Sequence, residues 1–188
     1  MSKGKIIIIV APSGSGKSTL IKKLKADCPE IIESVSFTTR EIREGEIDGA
    51  SYNFISTEKF EKKIKLNDFL EWAKVHGNYY GTSKEFVKKQ LKAGKHLLFD
   101  LDIQGTDSFK NYFCEEANAI FIEPPSMKEL ERRLRGRGTD STGTINLRVN
   151  NSKQEILRKN DYDYCIVNDE LDRAYGELRQ VVKSILES

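Results

Sequence analysis

Ala11-Pro12-Ser13-Gly14-Ser15-Gly16-Lys17-Ser18-Thr19 sits between the apolar run Ile6-Ile7-Ile8-Ile9-Val10 and Leu20-Ile21-Lys22-Lys23-Leu24, which is apolar at helical spacing. Strand, glycine-rich loop and helix in that order are the setting of a phosphate-binding P-loop. Gly14 and Gly16 let the backbone curl so that successive N–H groups face phosphate oxygens. A helix starting near Gly16 adds the positive end of its dipole. Lys17 can reach the β- and γ-phosphates as a mobile charge, and the Ser18 hydroxyl suits Mg²⁺. In an empty site Lys17 is expected to face solvent. Ala11 stands where the motif usually has its first glycine; a small Cβ at a strand end is compatible with a negative φ. The bland alternative is an ordinary glycine turn before a helix, and the flanking strand and helix argue against it.

The chain has 188 residues, enough for one domain with a sizeable core. Charged residues are 32% and apolar ones 38%, as in ordinary globular proteins. With 31 basic and 29 acidic residues, the net charge of +2 gives no support for non-specific binding to nucleic acid or membrane. Cys28, Cys114 and Cys165 are far apart, odd in number and without C-x-x-C spacing, which fits reduced thiols in the cytoplasm. His76 and His96 are the two histidines, too few for a zinc site. The N-terminal apolar run is too short to span a bilayer and leads into the P-loop rather than a cleavage site.

Along the chain, Ile6–Val10 reads as a buried parallel strand, and the following helix should end near Asp27 because Pro29 blocks it. Further strands are expected over Ile31–Phe37, His96–Asp100, Asn118–Ile122 and Tyr164–Val167. Residues 52–55 read as a short strand, Phe69–Val75 as a longer one, and Asn78–Thr82 as a loop into a helix near Ser83. Ser56 or Thr57 caps a helix through Lys65, and Gly94 ends the helix that starts near Ser83. Phe109–Phe113 lies in a helix or a loop, Ser126 opens another helix, and 136–143 reads as mobile. A polar helix covers Thr144–Arg158 and a terminal one Leu171–Leu186. Five apolar strands alternating with helices make an α/β three-layer core. The polar stretch of roughly 36–81 is too long for a plain loop and reads as an inserted subdomain.

Asp100 ends an apolar strand, the arrangement in which a carboxylate holds Mg²⁺ directly or through water; Asp102, two residues on, is a second candidate. Arg40 and Arg43 are spaced to grip a phosphate dianion, although such a pair alone is usually a solvated face. Together with these residues, several stretches run in the order and spacing of one family: residues 34–40, Arg43-Glu44-Gly45-Glu46, Tyr52-Asn53-Phe54, Glu71-Trp72-Ala73, residues 77–82, residues 100–105 and Arg137-Gly138-Thr139. The chain resembles the guanylate kinases through almost its whole length.

The resemblance implies a P-loop NTPase three-layer sandwich with a five-stranded parallel sheet, an inserted acceptor-nucleotide subdomain and a short helical lid. It places the core at 1–35, 86–125 and 149–188, the GMP-binding subdomain at 36–85 and the lid at 126–148. It implies transfer of a phosphoryl group from ATP to GMP, with dGMP as a further acceptor, and Mg²⁺ accompanying ATP. Arg40, Arg43, Tyr52 and Tyr80 match positions that bind the GMP phosphate, Ser36, Glu71 and Thr82 those that read guanine, and Asp102 a residue near the acceptor. Arg133, Arg137 and Arg148 match lid arginines that close over ATP. ATP is thus assigned to Ser13, Gly14, Ser15, Gly16, Lys17, Ser18, Thr19, Arg133 and Arg137, catalysis to Lys17, Arg40, Arg137 and Arg148, and the metal to Ser18 and Asp100. Two departures stand out: Ile42 where a proline is usual, and Ala50-Ser51 where a charged pair is usual. A non-catalytic module of similar fold would have no use for Lys17, and a kinase of a ribose phosphate none for Glu71. Monomer and homodimer both stay open.

Overall fold

The computed structural model describes residues 3–75, 77–136 and 141–188. Its centre is β1 (Ile6–Val10), buried at every position. Ile7 and Ile9 point to one face, packing with α1 (Lys17–Asp27) and the C-terminal helix (Leu171–Glu187). Ile6, Ile8 and Val10 point to the other, among side chains of the helices over Lys84–Lys92 and Ile103–Phe113. A strand apolar on both faces is what a sheet covered by helices on both sides demands. Each such side chain contributes about 1.5–3 kcal/mol by leaving water.

The remaining elements, in chain order, are β2 (Ile31–Glu33), β3 (Phe37–Thr38), β4 (Asn53–Phe54), α2 (Thr57–Lys65), β5 (Phe69–Val75), β6 (Asn78–Ser83), α3 (Lys84–Lys92), β7 (His96–Leu101), α4 (Ile103–Phe113), β8 (Ala117–Glu123), α5 (Met127–Gly136), α6 (Thr142–Leu157), β9 (Tyr164–Val167) and α7 (Leu171–Glu187). Five strands form a parallel sheet in the order β2-β7-β1-β8-β9. The chain crosses from β1 to one side and later to the other, so the carboxyl end of β1 lies at a switch point, where such sheets bind ligands. A second sheet, β4-β3-β6-β5, is largely antiparallel.

Two local expectations need correction. The apolar stretch Ile31–Phe37 is two strands: β2 pairs with β7, whereas β3 begins at Phe37 and joins the second sheet. Residues 78–82 are not a loop but strand β6, paired with β5 from Val75↔Asn78 to Phe69↔Ser83. Of the segment 136–143, expected to be mobile, residues 137–140 lie outside the described residues; Gly136 closes α5, and Ser141 caps α6 by accepting from the Thr144 N–H at 3.2 Å, so Thr142 and Gly143 are helical. Ser56 and not Thr57 caps α2, accepting from the Lys59 N–H at 3.3 Å. Phe109–Phe113 belongs to α4.

Candidate active site

The loop after β1 bends through Gly14 (φ 93°) and Gly16 (φ 89°), a left-handed conformation that side chains with a Cβ resist. Ala11 is absent from the residues with positive φ, so its Cβ costs nothing. Gly16 is the N-cap of α1, which has no side-chain cap and no acidic residue in its first turn. Its uncapped donor end suits an anion. Residues 11–18 line a cavity of about 370 Å³ together with Asp100, Asp102 and Glu155.

Lys17 is only partly exposed rather than turned freely to solvent. Its ammonium pairs with the Asp100 carboxylate and donates to the Leu101 carbonyl at 3.2 Å, and its side chain is 19% exposed. Asp100 itself ends up exposed beside Ser18, and these two also border a common hollow with Lys22 and Lys25. Thr19 is exposed on the first turn of α1. A hydroxyl and a carboxylate are hard oxygen donors of the kind Mg²⁺ takes alongside phosphate oxygens and water. Among the described residues no cluster of three or more acidic, His or Cys side chains offers a closed cage for a metal.

A smaller cavity of about 150 Å³ adjoins on the side of the second sheet, lined by Ser36, Tyr52, Thr82 and again Asp100. The antiparallel pairing sets Glu71 of β5 opposite Thr82 of β6, just after a register shift between Phe69 and Glu71 that re-aims the strand. The Thr82 hydroxyl donates to Glu71 Oε1 at 2.6 Å. Burial raises the Glu71 carboxyl above its ordinary value; the Thr82 hydrogen bond opposes this and the nearby Asp102 charge adds to it. Asp102 caps α4, accepting from the Gly105 N–H at 2.7 Å.

Arg40, Tyr52 and Tyr80 are gathered as expected. The Arg40 guanidinium lies 5.5 Å from the Tyr52 ring centre, and the Tyr52 and Tyr80 rings are 5.9 Å apart. Glu46 holds the group: it accepts from Arg40 Nη2 at 2.6 Å and from the Arg43 backbone N–H at 2.8 Å. Those two bonds, Arg40 first, pull the Glu46 carboxyl below its ordinary value. The Arg43 side chain is exposed. Burial raises the Tyr52 hydroxyl.

Arg148 of α6 donates to Ser13 Oγ at 3.2 Å. Arg133 of α5 lies against the loop, with Nη2 on the Asn168 carbonyl at 3.0 Å and Nη1 on the Ser15 carbonyl at 3.5 Å. Its Nε pairs with Glu129, whose carboxyl Arg132 and Arg133 hold down at about 2. Arg137 lies outside the described residues. Sequence reasoning missed three groups. Glu46 appeared only within a matching stretch, Glu155 as an unremarked residue of a polar helix, and Asn168 not at all. Asn168 had a signal, since it follows the carboxyl end of a parallel strand, where ligand-facing residues gather.

Comparison with known proteins agrees with this geometry. The family model described as guanylate kinase matches residues 3–185. A guanylate kinase of Sulfurimonas denitrificans is 47% identical over 94% of this chain and 85% of its own. One of Bdellovibrio bacteriovorus is 42% identical over 98% of this chain and 99% of its own. The crystal structure of guanylate kinase from Anaplasma phagocytophilum superposes with a TM-score of 0.75 at 31% identity, over 98% of this chain and 87% of that one. With a P-loop cavity and a second cavity meeting at Asp100, and with these matches over nearly its whole length, the chain belongs to the guanylate kinase family.

Proposed function

We propose that the two adjoining cavities divide the substrates of one reaction, ATP on the P-loop and GMP against the second sheet. As a guanylate kinase, the chain phosphorylates GMP with ATP to give GDP and ADP. The observation that carries the residue assignment is Asp100, which lines both cavities and pairs with Lys17 between them.

In this reading Ser13, Gly14, Ser15, Gly16, Lys17, Ser18 and Thr19 hold the ATP phosphates through backbone donors, the Lys17 charge and the start of α1. Lys17 leaves Asp100 for the phosphates when ATP arrives. Ser18 and Asp100 would hold Mg²⁺, which when bound neutralises phosphate charge and draws the phosphoryl oxygens into position. Arg40, Arg43, Tyr52 and Tyr80 grip the GMP phosphate, and Glu46 fixes Arg40 in advance so that little side-chain entropy is lost on binding. Glu71 accepts from guanine N1–H and N2–H₂, and the Ser36 hydroxyl can donate to O6; Thr82, whose single proton goes to Glu71, holds that carboxylate in place beside the base. Asp102 stands beside Glu71 at the acceptor. Arg133 and Arg148, which reach the loop from α5 and α6, and with them Arg137, which lies outside the described residues, would offset the charge that spreads over the transferring group. No base is required, because the acceptor phosphate, with a second pKa of about 6, is largely ionised at neutral pH.

The proposal takes 36–85 as the acceptor unit, 126–148 as the lid, and 1–35, 86–125 and 149–188 as the core on which both turn. Three unpaired cysteines support a cytoplasmic setting, and no helix among the described residues is long and apolar enough to cross a membrane. The test is Lys17→Ala, checked for folding by circular dichroism. Lys17 and Asp100 are partly exposed, so stability should change by no more than about 1 kcal/mol. Turnover should nearly vanish; near-normal kcat in a folded variant contradicts the assignment.

A further inference from the structure

The Ser15 carbonyl of the P-loop is held from two directions by residues that do not line the phosphate cavity. Asn168 Nδ2 donates to it at 2.6 Å, and Arg133 Nη1 approaches at 3.5 Å. Asn168 is 5% exposed and is itself fixed: its N–H donates to the Glu123 carbonyl at 2.8 Å, and its own carbonyl accepts from Arg133 Nη2 at 3.0 Å. The fit is close, since a Cβ on Gly16 would come within 2.3 Å of Asn168 Nδ2.

The Ser15–Gly16 peptide is trans, as are all peptides among the described residues. In a trans peptide the C=O and N–H point in opposite directions. Holding the Ser15 carbonyl down therefore turns the Gly16 N–H up, towards the cavity that residues 11–18 line. A peptide free to rotate would lose that aim, and the loop could exchange donors for acceptors towards an anion.

We propose that Asn168 is a positioning residue for the reaction: it acts through the Ser15 carbonyl to aim the Gly16 N–H at the ATP phosphates, with Arg133 tying the same carbonyl to helix α5. The proposal rests on the P-loop being the ATP site. It differs from a direct contact of Asn168 with the nucleoside, because the whole effect passes through the phosphate cradle. Every ligand carrying a phosphate chain then feels it, base or no base.

The test uses Asn168→Asp, which keeps the shape and replaces the donor by an acceptor facing the Ser15 carbonyl. Calorimetry gives Kd for MgADP, for magnesium tripolyphosphate and for GMP, on both proteins. A buried carbonyl left facing an acceptor corresponds to a loss of about tenfold or more in affinity. The expected result is that MgADP and tripolyphosphate weaken by one common factor of that size while GMP is unchanged. An unchanged Kd for both ligands overturns the proposal, and so does a loss for MgADP alone, which marks a nucleoside contact. A GMP affinity that falls by the same factor also overturns it, as the sign of a general structural role. If Asn168→Asp does not fold, Asn168→Ser retains a shorter donor and the same comparison decides, with a smaller common factor expected. Failure of the wild-type protein to bind MgADP would instead overturn the ATP assignment on which the proposal rests.

Discussion

Glu71 is the residue at which charge, burial and selectivity meet. Its side chain is largely shielded, accepts from Thr82 and stands near Asp102, and its carboxyl is raised by burial above the ordinary range. A raised carboxyl takes up its proton at a higher pH than usual, and once neutral it loses an acceptor for guanine. KM for GMP should therefore climb as pH falls, beginning above the ordinary carboxylate range. GMP titrates too, with its phosphate pKa of about 6, but equally in Glu71→Gln, so the ratio of the two pH profiles isolates Glu71. A flat ratio would contradict the role. The stability sign is the reverse of a salt-bridged acid's: the native state holds this proton more tightly than the unfolded one, so Glu71's contribution falls as pH rises through the window between the two values. Lys17 and Asp100 stood out by their local settings, a glycine loop before a helix and the end of an apolar strand, whereas Glu71 was singled out through the family resemblance. The pairing of Lys17 with Asp100 was not legible, since nothing in one short motif tells which carboxylate from a distant strand lies within reach.

Among the elements, the turn from β1 into α1 is the most constrained. Gly16 combines a left-handed φ of 89° with the approach of Asn168. Gly16→Ala should cost about 1–2 kcal/mol from backbone strain alone, before Asn168 is displaced. Denaturant melts should show that loss, and KM for MgATP should rise more than KM for GMP; equal stability and unchanged MgATP kinetics would contradict the account. Strand β1 and helix α1 were readable because burial on both faces and helical spacing leave an unbroken pattern. Strand β6 was not, because it carries polar and small residues, Asn78, Gly81 and Thr82, among its tyrosines. The expected strand over Ile31–Phe37 divides between two sheets for a related reason: apolar residues mark burial, not which sheet buries them.

At the scale of the whole molecule, helices α5 and α6 reach the P-loop through Arg133 and Arg148, and its cavity meets that of the second sheet at Asp100. Phosphoryl transfer must exclude water, or ATP is hydrolysed instead. Small-angle scattering should therefore show compaction when GMP and a non-hydrolysable ATP analogue are both present, and less with either alone; an unchanged radius of gyration with both would contradict closure. The three-layer core was legible from five apolar strands, whereas the meeting of two cavities at Asp100 depends on contacts between distant segments that no local pattern records. The central claim is that those cavities perform phosphoryl transfer to GMP with Glu71 as the reader of its base. Its most direct test is kcat/KM for GMP, IMP and AMP at saturating MgATP, on the wild-type protein and on Glu71→Gln. GMP gives the carboxylate two donors, IMP one and AMP none. The wild-type protein should rank them in that order, with AMP rejected by ~10⁴-fold or more. Glu71→Gln should lower the GMP value by about one to two decades and narrow the gap to IMP, as expected for hydrogen bonds to a charged group. AMP rivalling GMP in the wild type, or a Glu71→Gln protein with the GMP value and the ranking untouched, would contradict it.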